Sequence, residues 1–344
     1  MDDTQLFFVS GLPKTGTTWL MRMLDGVDGI CCRGEGRFFS SSIRNVPSLW
    51  DSLANAVEPW SRYVATRKCG WTGMSDRIET INRNNYLSES VLGEWREQMV
   101  GFLTAQWVKK SFAETVGHGE DVGWVGDKTP ATRPEELSRI HRAFPSAKLL
   151  LMQRGVKDFV VSYLFHFWRA MREKRPDRLM NHVDTDDFLR IERYSANPDM
   201  GPFASVGTCE RLARVWCVMR AETEHLHRRD PDRVWLVRYE DLRAEPRAGL
   251  RSAVEFLGLT PEESVLTRAV ADASVAAVRS VSDSFLRSHI RSGVPGDWKR
   301  HLSAQASEAI DRVVQGFEDD AGETGRAGPA AEGDGAVSSG VRIR

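Results

Sequence analysis

A chain of 344 residues, 41% hydrophobic and 28% charged, carries enough apolar side chain for a sizeable core and has the composition of an ordinary soluble globular protein. Its 47 Lys and Arg against 48 Asp and Glu leave a net charge of −1, which excludes the basic footprint of a nucleic-acid binder. No apolar run approaches the ~18 residues of a membrane span, and Met1-Asp2-Asp3 runs into an apolar segment without the cationic stretch of a signal peptide.

In chain order, Leu6–Val9 is a short apolar run before Gly11 and predicts a buried parallel strand. Thr17–Leu24 predicts a helix, with Trp19, Leu20, Met23 and Leu24 at helical spacing. Residues 40–100 are polar with weak periodicity, the pattern of a lid or binding loop. An amphipathic helix is expected over Val91–Phe112, and a second strand over Trp124–Gly126, turning at Lys128-Thr129-Pro130. Arg133–Phe144 is a helix, Lys148–Met152 a third strand, and Asp158–Arg172 the helix after it. Residues 173–206 are expected to be irregular. Cys209–Arg228, Val234–Arg238 and Pro246–Leu257 then predict helix, strand and helix. The segment from Glu318 to Arg344, dense in Gly, Ala and acidic residues, is expected to be disordered because it cannot bury enough surface to offset its ordering entropy. This predicts one domain over 1–317 and a tail over 318–344. Strands alternating with helices imply an α/β fold with a central parallel sheet flanked by helices, and ligands at the carboxyl ends of its strands.

Five cysteines, Cys31, Cys32, Cys69, Cys209 and Cys217, are odd in number and lack a Cys-x-x-Cys pair. Reduced thiols, a cytoplasmic location and no structural metal are the expectation.

The most specific pattern is Ser10-Gly11-Leu12-Pro13-Lys14-Thr15-Gly16-Thr17-Thr18-Trp19, a glycine-bounded loop between strand and helix. Such a turn aims backbone N–H groups and a helix N-terminus at one point, which suits a phosphate. Lys14 and the hydroxyls of Thr15, Thr17 and Thr18 crowd that point. It is not a Walker A motif, because Thr17-Thr18 follows Gly16 where that motif has Lys-Ser/Thr.

Pro13–Trp19 resembles the 5′-phosphosulfate loop of sulfotransferases that use PAPS (3′-phosphoadenosine 5′-phosphosulfate). Four further segments match in order. Lys148–Arg154 with Asp158 and Ser162 is similar to the family's 3′-phosphate segment. Tyr239-Glu240-Asp241-Leu242 with Pro246 and Phe256-Leu257-Gly258 is similar to its late strand-to-helix segment. Arg291–Lys299 is similar to its C-terminal glycine and Gly-Asp-Trp-Lys motif, and Gly126–Pro130 to the Lys-Thr-Pro element of bacterial and Golgi members. The resemblance spans roughly residues 5–303 and implies a P-loop-like three-layer fold and transfer of a sulfo group from PAPS, with PAP released. The acceptor is a hydroxyl or amine of a small molecule or carbohydrate, and no metal is required. A bacterial cytosolic enzyme tailoring a metabolite fits the absence of an export signal, and a homodimer is compatible with the chain.

By the same resemblance, Lys14 is the cation at the bridging oxygen and 5′-phosphate, with Thr15, Gly16, Thr17, Thr18 and Trp19 completing the donor loop. Arg154 and Ser162 grip the 3′-phosphate, and Arg291, Ser292 and Gly293 close over it. Ser292 stands where many members have Lys, which shifts weight to Arg291 or the nearby Arg287. The histidine base of the cytosolic branch is absent from Lys128-Thr129-Pro130. Glu35-Gly36-Arg37-Phe38-Phe39 matches instead the Glu-x-x-Phe-Phe pattern of glycosaminoglycan-type members, making Glu35 the candidate base, with His166 or His289 as alternatives. Lys128 either contacts the transferring group or pairs with Glu35. Tyr163, Phe165, Phe167 and Trp168 either line the acceptor pocket or belong to a plain core helix; Tyr239 reads as fold-forming. Two rivals stand beside this reading: a P-loop kinase or nucleotidase using ATP, and a non-catalytic PAP-binding protein.

Overall fold

Phe7, Phe8 and Val9 lose all contact with solvent because the strand that carries them, β1 (Gln5–Ser10), lies in the middle of a sheet covered on both faces. The computed structural model describes residues 5–39, 47–57, 89–116, 122–174, 178–197, 202–280 and 293–326. Four further strands, β2 (Ile30–Gly34), β3 (Trp124–Lys128), β4 (Lys148–Gln153) and β5 (Val234–Arg238), join β1 in the order β2-β3-β1-β4-β5. Every pairing is parallel. The two-residue alternation of strands divides the core. Phe8, Leu149 and Leu151 pack on one face with Phe39, Phe144 and Phe159. Phe7, Val9, Leu150 and Met152 pack on the other with Leu20, Met23 and Leu24.

This division positions the site. The helix after β1, Thr17–Asp25, lies on the second face; the helix after β4, Val156–Arg172, lies on the first. Adjacent strands whose following helices leave to opposite faces open a crevice at their carboxyl ends, the place where doubly wound sheets bind ligands. The P-loop-like three-layer arrangement expected from the sequence is the one observed.

Four differences stand out. β2 was not foreseen, because Ile30-Cys31-Cys32 is a short apolar run at a sheet edge; Asp25 secures it through the Cys32 N–H at 3.0 Å and Arg33 at 2.5 Å. β3 runs on to Lys128, which pairs with Val9 and Gly34. The interval expected to be irregular, 173–206, contains a 3-10 turn over Arg178–His182 and a helix over Thr185–Ala196, whose Ile191 and Tyr194 are buried. Its fully buried Asp187 accepts the Ser205 hydroxyl at 2.8 Å, a tie between distant residues that local periodicity does not reveal. Finally, the helix Ala304–Arg326 runs past the expected boundary at 317. Its Ala306, Ala309 and Ile310 are buried before that boundary, and Arg220 pairs with Glu318 at 2.8 Å just past it. Residues 327–344 lie outside the described residues.

Of the segment 40–100, residues 49–57 and the start of the helix Glu89–Val116 are helical, whereas 40–46 and 58–88 lie outside the described residues. Cys31, Cys32, Cys209 and Cys217 are buried thiols; Cys69 lies outside the described residues. Among those residues no helix is long and apolar enough to cross a membrane.

Candidate active site

The loop between β1 and its helix is shaped by what cannot fit beside it. Gly11 has φ +143, and a Cβ there would stand 2.3 Å from the Met152 carbonyl oxygen. Gly16 has φ +103, and a Cβ would stand 2.5 Å from the Tyr239 ring. Both positions therefore demand glycine, on steric and conformational grounds together. Lys14 itself adopts φ 74. Thr15 closes the turn, its N–H and hydroxyl both donating to the Leu12 carbonyl at 3.3 and 2.7 Å. Its amide and hydroxyl thus build the loop, which leaves the cradle to Gly16, Thr17 and Thr18. The helix Thr17–Asp25 starts without a side-chain cap and without an acidic residue in its first turn. Its N–H groups and dipole favour an anion there.

Arg154, at the carboxyl end of β4, is only 7% exposed. Its Nη1 donates to the Lys14 carbonyl at 3.1 Å, and its guanidinium lies over the Tyr239 ring, 4.6 Å from the centroid. Its Nε is buried and has no hydrogen-bond partner among the described residues. A guanidinium held in this way presents unused donors beside an anion loop. Trp216 fixes the backbone here, donating to the Arg154 carbonyl at 2.7 Å. Trp19 meets Tyr239 edge to face at 5.8 Å, and Arg243 lies 5.6 Å over the Trp19 ring. Burial raises the Tyr239 phenol above its ordinary pKa, opposed by Arg154 and Arg243.

The Tyr239 hydroxyl donates to the Gly293 carbonyl at 2.9 Å, and Arg243 Nε reaches the same oxygen at 3.2 Å. The C-terminal loop is also held from below. Asp158, in the first turn of the helix Val156–Arg172, accepts the Gly296 N–H at 2.7 Å and the Trp298 N–H at 3.3 Å. Ser162 is buried one helical turn further on and makes no hydrogen bond to Arg154 among the described residues. Arg291 and Ser292, with Arg287 and His289, lie outside the described residues.

On the far side of β1, Lys128 and Glu35 meet at 2.5 Å. Lys128 is buried, and Glu35 is an exposed residue whose side chain is 34% accessible. The lysine stem lies over Gly34, where a Cβ would stand 2.9 Å from Lys128 Cε. The sequence left Lys128 with two roles, and pairing is the one seen. Asp127 beside it is 3% exposed; its Oδ1 accepts the Gly36 N–H at 2.9 Å. Burial pushes the Asp127 carboxyl up to about 7, opposed by the Gly36 hydrogen bond and Lys128 and helped by Glu35. Cys32 is raised by its own burial and then by Asp127.

The aromatic helix packs on the core with Phe165 and Trp168 partly buried. Tyr163 and Phe167 are buried, and Phe165 packs on Tyr194, Phe203 and His301. His166 sits against the Tyr163 ring at 6.0 Å.

The family model described as the sulfotransferase family matches residues 7–263. The chain belongs to the sulfotransferase family. Human sulfotransferase 1C2 is 24% identical over 182 residues, covering 49% of this chain and 54% of that one. Cytosolic sulfotransferase 6 of Arabidopsis thaliana is 27% identical over 189 residues, covering 49% and 50%. The chain thus spans about half the length of the curated relatives it matches. A crystal structure of mouse sulfotransferase SULT7A1 complexed with PAP is similar over 94% of this chain and 89% of that one, with 15% identity and a TM-score of 0.49. Sequence reasoning named Lys14, Arg154, Glu35 and Lys128, and the fold draws them into two clusters at the carboxyl ends of the strands. It did not assign Asp127, Arg243 or the Tyr239 hydroxyl, whose partners are remote in the chain. Tyr239 carried one signal, its place directly after β5.

Proposed function

We propose that the chain is a PAPS-dependent sulfotransferase acting on a hydroxyl or amine of a small-molecule or carbohydrate acceptor. The observation that carries the reading is the buried Arg154 guanidinium, with Nε unpartnered among the described residues, next to a glycine loop that ends in an uncapped helix. A loop cradle and a separate buried guanidinium suit a ligand with two phosphate groups, one at each. PAPS, when bound, would supply the sulfo group on its 5′-phosphate, and the residues present fit it.

In this reading Lys14, the N–H groups of Gly16, Thr17 and Thr18, and the Thr17 and Thr18 hydroxyls hold the 5′-phosphate. Arg154 holds the 3′-phosphate, with Ser162, Arg291, Ser292 and Gly293 as further contacts, and Trp19 borders the base. Lys14 stabilises the charge that grows on the bridging oxygen as the S–O bond breaks. Glu35 takes the acceptor's proton as the new bond to sulfur forms. Lys128, paired with Glu35 at 2.5 Å, holds that carboxylate in place and adds a positive charge beside it. Positioning and electrostatics dominate such a transfer, as they do for phosphoryl groups.

The test is thermal stabilisation by PAP against 5′-AMP, ADP and ATP–Mg²⁺. A ligand at ~100 times its Kd adds about 2.7 kcal/mol. Stabilisation by PAP well beyond that of 5′-AMP is expected. Stabilisation by ATP–Mg²⁺ with none by PAP overturns the reading in favour of a kinase. With PAP binding established, a panel of hydroxyl and amine acceptors is screened for PAPS turnover; PAP binding without turnover of any acceptor points to a binding protein.

A further inference from the structure

The loop that presents Glu35 has little of its own to hold it. Residue 35 is flanked by Gly34 and Gly36, which contribute no side chains. Gly34 is placed by the ladder, opposite Lys128 in β3. Downstream, the backbone is tied again where the Leu49 N–H reaches the Arg37 carbonyl at 2.9 Å and the Trp50 N–H reaches the Phe38 carbonyl at 2.8 Å. Between these ties the backbone makes one hydrogen bond among the described residues, the Gly36 N–H to Asp127 Oδ1 at 2.9 Å, across 91 positions of sequence. Space around it is tight, since a Cβ on Gly36 would stand 2.1 Å from the Phe38 ring.

We propose that Asp127 is a positioning residue: by accepting the Gly36 N–H, its buried carboxyl sets the peptide that carries Glu35 and so aims the Glu35 carboxylate at Lys128. Asp127 and Lys128 are neighbours on β3, so their side chains leave opposite faces of the sheet. The strand thereby holds the Glu35 loop twice, by the backbone from one face and by the side chain from the other. Asp127 is 3% exposed, and its Oδ2 is buried without a hydrogen-bond partner among the described residues. A buried carboxyl with an unsatisfied oxygen is costly to keep, and an apolar residue at the same place in β3 would suit the core better. The hydrogen bond to Gly36 is the return the structure shows for it. The ionisable groups that act on it are Lys128 on its own strand, Glu35 in the loop and Cys32 on β2, and Arg33 stands opposite it in the β2 ladder.

This inference rests on the reading of Glu35 as the base, and the test separates the two. Amide hydrogen exchange at Gly36 is measured in the full chain for wild type, Asp127→Ala and Asp127→Asn, together with kcat and KM for PAPS on an acceptor found by the panel. Asp127→Ala is expected to speed Gly36 exchange more than tenfold and to lower kcat 10- to 100-fold, with KM for PAPS and the thermal shift from PAP little changed. Asp127→Asn keeps an acceptor for the N–H and is expected to recover most of the protection and of kcat. Unaltered Gly36 protection in Asp127→Ala overturns the proposal, as does a kcat loss in Asp127→Asn equal to that in Asp127→Ala. Should Asp127→Ala not fold, Asp127→Asn decides alone: retained protection supports the proposal, and exchange ten times faster overturns it. If no acceptor turns over, the functional reading fails while Gly36 exchange still decides the contact.

Discussion

At the residue scale, the site separates charges that serve different ends. Glu35 is exposed and paired with the buried Lys128 at 2.5 Å, so it is placed to act on a group arriving from solvent. Glu35→Gln is expected to lower turnover by ~10²–10⁴ and leave PAP affinity within a few-fold, read from kcat and the PAP thermal shift. Asp127 differs in kind. Its carboxyl, raised to about 7 by burial, is neutral at low pH and is forced to ionise inside the core as pH rises. A group whose folded pKa lies above its unfolded value stabilises at low pH and loses that contribution as pH climbs through the folded value. Between about pH 4 and 8, Asp127 therefore costs the wild type up to about 4 kcal/mol relative to Asp127→Asn. Urea melts of the two at pH 5 and pH 8 check this; a constant difference contradicts it. Lys14, Glu35, Lys128 and Arg154 were legible because each sits in a contiguous pattern beside a strand end. Asp127 was quoted within such a pattern but not assigned, because its partner, Gly36, belongs to another one.

At the scale of elements, the loop after β1 is the part most exposed to steric failure. Gly16 sits at φ +103 with the Tyr239 ring 2.5 Å from where a Cβ would stand. Gly16→Ala is expected to destabilise the fold by roughly 1–3 kcal/mol through backbone strain and displacement of Tyr239. The same displacement loosens Arg154, which lies over that ring, and Gly293, which accepts its hydroxyl. Thermal melts with and without PAP should show both a lower midpoint and a smaller PAP shift. A lower midpoint with an undiminished shift would separate Tyr239 from the anion site. β1, β4 and β5 were legible as apolar runs, and the helices beside them as periodic stretches. β2 and the helix Thr185–Ala196 were not. The first is a brief edge strand secured by Asp25, and the second is anchored by Asp187 to Ser205. Both depend on side chains from elsewhere.

At the scale of the whole molecule, the last helix, Ala304–Arg326, closes the fold over the helix Val206–Arg229, and its Asp311 pairs with Lys157 at 2.7 Å. Lys157 in turn lies 4.6 Å over the Trp298 ring, so the closing helix supports the C-terminal loop. Ile310 is fully buried there. Ile310→Ala is expected to cost about 2–5 kcal/mol, seen as a lower urea midpoint at unchanged slope. An effect below 1 kcal/mol would mean that this helix is marginal to the core. What the sequence determined by itself was local: which runs are strands, where the chain must turn, and which loop can cradle a phosphate. These follow from backbone hydrogen bonding, side-chain alternation and the freedom of glycine, all of which act within a few residues. Only the tertiary structure decided the order β2-β3-β1-β4-β5, and with it the meetings of Lys128 with Glu35 across 93 positions and of Arg154 with the Lys14 carbonyl across 140. Bringing residues that far apart together costs loop-closure entropy that no local pattern can offset. It is recovered only when both faces of the sheet are buried at once, so the placement of these groups is a property of the packed whole.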